Sequence, residues 1–130
     1  MKREQLMDIF VLIKRIGNLL NEVMDISGQL SEAVDRQDEV SIEMIVAMRS
    51  DPIDKLIVAD RALREHIQSL GDESAARVRA MLNGDASAAQ DETENALVEQ
   101  AMANMRAHRK LLELDEILSK KIGREKSIYR

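Results

Sequence analysis

Cysteine is missing from this 130-residue chain, so no disulfide forms and no thiolate is available for catalysis or metal binding. That suits a reducing compartment, and a cytoplasmic location is the expectation. Aromatic residues are almost missing too, with one Phe, one Tyr and no Trp. So few rings leave nothing to stack nucleobases, and the net charge of −5 repels a phosphate backbone, so no nucleic-acid partner is expected. No stretch approaches the roughly 18 uncharged apolar residues that read as a membrane span. Met1-Lys2-Arg3-Glu4 leads into an amphipathic segment and not into the apolar core of a signal peptide, so membrane insertion is not expected either.

Chemistry-bearing constellations are equally scarce. Gly17, Gly28, Gly71, Gly84 and Gly123 are isolated, which excludes a glycine-rich phosphate cradle. His66 and His108 are the two histidines, and Leu63 and Met105 stand where a di-iron helix would place Glu three residues earlier. Carboxylate pairs such as Glu113 and Glu116 are what a chain with 24 acids produces on solvated faces. No catalytic residue, metal site or cofactor is therefore expected, and the chain reads as a non-enzyme.

What the chain has is helix-forming apolar content. Hydrophobic residues make up 45%, eight of them Met. Leu, Ala and Met cost little in a helix, and Met fills cores or adapts to partners. Between residues 6 and 34, Leu6, Ile9, Ile13, Ile16, Leu20, Val23, Ser27, Leu30 and Val34 recur at spacings of three and four. That is one apolar seam held over about nine turns, or roughly 50 Å. Such a helix is stable only against others.

The first helix is expected from about Arg3 to Asp35, ending in Asp35-Arg36-Gln37-Asp38. Ser50-Asp51-Pro52 could start a helix with proline at its first position. However, the seam Ile45, Met48, Pro52, Leu56, Ala59, Leu63, Ile67, Leu70 passes through the proline in phase. One kinked helix from Glu39 to Leu70 is therefore favoured. Gly71 ends it, with Asp72 as the next cap. A short helix follows from Glu73 to Leu82, closed by Asn83-Gly84. Ser87-Ala88-Ala89-Gln90 fits a capping box that opens a last helix running to about Ile122. The expectation is an all-α, elongated antiparallel bundle of three long helices and one short one. Residues 1–122 would form one domain, and 123–130 a basic tail.

Charge is uneven along the chain. Asn83 to Glu99 contains five acids and no base, whereas Arg106 to Arg130 contains eight bases and four acids. Acids early and bases late in a helix follow its dipole.

The last helix has a surplus of apolar surface. One row holds Ala107, Leu111, Leu118 and Ile122, another Val98, Ala101, Met105 and Leu112. A polar line of Asn104, His108 and Asp115 runs between them. Together they span about 200°, against about 160° for the first helix. Either this helix is central and flanked on both sides, or its second row awaits an amphipathic partner. His108 beside Asn104 and Asp115 reads as a buried polar lock on helix register. His66 invites comparison with histidine-phosphotransfer bundles, although Ser69 and Leu70 stand where those carry Lys and Gly. A self-associating coiled coil is a further alternative.

Three segments, Leu30 to Asp38, Met48 to Leu56 and Met105 to Leu112, together with the long leucine-rich opening helix and Ile128-Tyr129, resemble flagellar export chaperones of the FlgN/FliT type. Departures are Pro52 and His108, where the family usually has Asn, and a tail without the usual final small residue. The resemblance implies a cytosolic chaperone for the C-terminal helical segment of hook–filament junction proteins, which it delivers to the export gate. It places cargo on Val98, Ala101, Met105 and Leu112, makes Tyr129 the gate-docking residue, and leaves a homodimer as one option.

Overall fold

The computed structural model describes the backbone of residues 1–128 and the side chains of residues 1–123. Every regular element among these residues is helical. Helix α1 spans Arg3–Asp35, α2 Glu39–Gln68, α3 Asp72–Leu82 and α4 Glu92–Ile128, with a 3-10 turn at Ala86–Ala88. The three long helices run up, down and up, and α1 lies between the other two. Three apolar clusters are strung along it. Leu6, Ile9 and Ile13 meet Leu63, Ile67, Leu97 and Val98; Leu20 and Val23 meet Leu111, Ile53 and Leu56; Leu30 and Val34 meet Leu118, Ile42 and Ile45. Each buried Leu, Ile or Val contributes about 1.5–3 kcal/mol relative to an exposed one.

The seam read from the first helix is the floor of the molecule. All of its members are buried except Ile16, which is half-buried. Its one polar member, Ser27, is fully buried and accepts a 2.8 Å hydrogen bond from Nε of Arg49 on α2. The same guanidinium forms an ion pair with Asp115 of α4, so Arg49 ties three helices together.

The polar stop after α1 works without glycine. Gln37 takes φ 56°, and the backbone N–H groups of Gln37 and Asp38 donate to the carbonyls of Val34 and Ala33. That double closure is a Schellman motif, built on a left-handed residue that usually would be Gly. Asp38 then caps α2 by accepting from the Ser41 N–H at 3.1 Å and the Ser41 hydroxyl at 2.6 Å. Helix α2 is a single helix with Pro52 buried inside it, as its unbroken seam predicts. Met48 departs from that seam: it lies on the outside, and Arg49 turns inward beside it.

Four boundaries differ from expectation, the first being the end of α2, which stops at Gln68 and not at Leu70. Gly71, with φ 87°, stands at the cap of α3, and Asp72 is the first helical residue. Ser87 does not cap α4. Asp85 instead accepts from the Ser87 N–H to shape the 3-10 turn, and Asp91 accepts from the Glu94 N–H at 2.8 Å to start the helix. At the other end α4 continues through Gly123 to Ile128. Glycine inside a helix costs about 1 kcal/mol but does not end it unless the chain turns left-handed there.

Candidate functional site

Helices α2 and α4 both pack on α1, and their backbones stay apart even where their side chains meet. A trough therefore runs between them with α1 as its floor. At one end α3 fills this trough, setting Ala75, Val78 and Met81 into the cluster around Ile9 and Leu97. The short helix runs alongside the first turns of α4, with Arg77 paired to Glu94 and Gly84 beside Met102. Glu94 is buried, and it also accepts from the Gln90 N–H at 3.1 Å, which pins the returning loop.

Beyond Leu82 the trough is open. The cavity there is about 660 Å³, floored by Ile13, Ile16 and Leu20. Its walls are Leu56, Ile57, Asp60, Leu63 and Arg64 on α2 and Ala101, Asn104, Met105 and His108 on α4. Leu82 at the tip of α3 forms one end. Toward the other end, Ile53, Leu56 and Leu111 draw the walls together, and the Arg49–Asp115 pair crosses from α2 to α4.

Two glycine-sized details set the height of the walls. Gly17 leaves room for α4 side chains against α1: a Cβ there would lie 2.5 Å from Oδ1 of Asn104. Asn104 sits over that gap, donating from Nδ2 to the Ile13 carbonyl at 2.8 Å and accepting from Gln100 at 3.0 Å. Buried polar side chains among the described residues are Ser27, Glu94 and Asn104, and none has an unpaired buried side-chain N or O.

The surplus apolar surface of α4 is divided by this arrangement. The row of Ala107, Leu111, Leu118 and Ile122 packs on α1. In the second row Val98 and Ala101 are sealed, at 3% and 4% exposure, whereas Met105 and Leu112 stand open at 45% and 55%. The central position is therefore taken by α1, not by α4, and α4 leaves part of its second row unpacked. Of the residues expected to bind cargo, Ala101 and Met105 line the groove, Leu112 lies on the rim beyond it, and Val98 belongs to the core. Tyr129 lies outside the described residues.

His108 is exposed on the groove wall. The lock on register is Asn104, one turn earlier and on the side of α4 that faces α1. His66 is exposed on α2. Sequence reasoning did not pick out the α2 wall, because Leu56 and Leu63 read there as ordinary seam residues. Exposed Ile57, immediately beside that seam, is the signal that marks it.

Among the described residues no cluster of His, Cys, Asp and Glu is placed to hold a metal ion, and no helix is long and apolar enough to cross a membrane. Compared with models of protein families, with curated proteins and with solved structures, the chain matches none.

Proposed function

We propose that this protein is a non-enzymatic, cytosolic chaperone that takes an amphipathic helix of another protein into the groove between α2 and α4. The observation that carries the reading is the half-filled trough. One chain supplies three walls, and its own α3 occupies only one end, leaving Met105, Leu112 and Ile57 in solvent. An amphipathic helix laid in such a groove buries its apolar stripe and covers these residues. Met side chains suit the task because they repack around different partners.

The likeness to FlgN/FliT chaperones narrows the partner to the C-terminal helical segment of a hook–filament junction protein, kept from early assembly and handed to the export gate. In this reading Ala101, Met105 and Leu112 touch the cargo, Val98 holds α4 in place, and Tyr129 meets the gate. Titration calorimetry with purified junction-protein C-terminal segments tests it. A stoichiometric complex is expected, and the double substitution Met105→Glu and Leu112→Glu should abolish it while helicity is kept. Unchanged affinity in that variant would reject the proposal.

A further inference from the structure

We infer that the groove selects a short helix of about two to three turns carrying acidic residues on the flank that faces α4; this rests on the groove's being a helix-binding site. Two observations define the occupant. The first is continuity with the seat of α3, which lies in the same trough. Its inward residues Ala75, Val78 and Met81 show what the walls accept, apolar side chains spaced by three on a helix. The open stretch that follows, from Ala101 to His108 on α4 and from Leu56 to Arg64 on α2, is roughly 10–12 Å long at 1.5 Å per residue. With the rim out to Leu112 it takes two to three turns, and Leu82 at one end limits anything longer.

The second observation is charge. From Gln100 to Leu112 helix α4 carries no acid, and of its three bases Arg109 stands nearest the groove, whereas Arg106 and Lys110 lie on the far side of the helix from Ala101, Asn104 and His108. All three bases are exposed, and none forms an ion pair among the described residues. Arg109 is four residues after Met105 and three before Leu112, so it projects from the same side of α4 as these two. The opposite wall is already balanced, because Asp60 pairs with Arg64 at 2.8 Å and Asp51 with Lys55 at 3.1 Å. An occupant with Leu-like residues pointing at the floor and Glu or Asp toward α4 satisfies both sides. One with bases on that flank meets Arg109.

The test uses the full chain and a pair of stapled synthetic helices of about three turns with one apolar stripe in common. One twin carries Glu on the flank toward α4, the other Lys, and binding is read by fluorescence anisotropy at low and high salt. The Glu twin should bind about fivefold or more tighter at low salt, with the margin shrinking as salt rises. Arg109→Glu should reverse the preference without lowering helicity. Equal binding of both twins would overturn the charge preference and leave the helix-binding groove standing. Failure of both twins to bind would overturn both.

Discussion

The side-chain amide of Asn104 on α4 donates to the carbonyl of Ile13 on α1 at 2.8 Å, and its oxygen occupies the space where a Cβ on Gly17 would be. One glycine and one amide thus set how closely the third long helix approaches the first. That approach fixes the depth of the groove, because Asn104 and Ile13 both line it.

Gly17→Ala should destabilise the chain although alanine is the better helix former. The helix gains about 0.5–1 kcal/mol, but the displaced amide loses its bond and is left buried, at about 1–3 kcal/mol. A net loss of about 1 kcal/mol is expected in urea denaturation. Adding Asn104→Ala should recover part of it, so that the double variant is more stable than the two single effects summed. Strict additivity would show that the two residues are not coupled.

Arg77→Met should cost about 3 kcal/mol, because it strands the buried Glu94 carboxylate. Combining it with Glu94→Gln removes the stranded charge and should be milder than Arg77→Met alone. If the double variant is the worse of the two, the ion pair is not what holds the 83–91 loop on α4.

Gly84→Ala places a side chain at φ 91°, beyond the region open to other residues, and 3.4 Å from Cγ of Met102. A loss of about 1–2 kcal/mol is expected. Thermal unfolding followed by circular dichroism would show it as a fall of several degrees in Tm. An unchanged midpoint would mean that the turn after α3 relaxes freely.

Asp38 gives a pH signature. The hydroxyl and N–H of Ser41 hold its carboxyl below the usual carboxylate range. A depressed folded-state value means stability that is present in full above about pH 4 and is lost as the pH falls through the folded value. Asp38→Asn does not titrate. The stability difference between wild type and this variant should be constant near neutrality and change only on acidification below the carboxylate range. A difference independent of pH down to strong acid would place the cap elsewhere.

The elements were legible wherever a residue's role follows from its own helix. The seam from Leu6 to Val34 is a matter of period, and the phase of Leu56, Ala59 and Leu63 carried α2 across Pro52. Roles that depend on a distant element were not legible. The period of the seam includes Ser27 but does not show that Arg49, 22 residues away, bonds it. Asn104 and His108 are one turn apart on the same polar line, and the rotation of α4 on α1 decides which is buried. The motif at Ser87 lost to Asp91 because the loop is held by Arg77, Glu94 and Asp85 and not by its local pattern. Half of the candidate site could be read, the α4 row with its open Met105 and Leu112. The facing wall could not, since a groove is a property of two helices and a third that stops short.

The walls of the groove come from residues 56–64 and 101–108. Nothing resembling this receptor exists in the unfolded chain. Occupancy therefore adds directly to conformational stability, and a tightly held ligand at a hundred times its Kd should add about 2.7 kcal/mol. Synthesis of the receptor must also reach the middle of α4 before the first ligand can be caught. A truncated chain ending within α3 could therefore neither receive cargo nor compete for it.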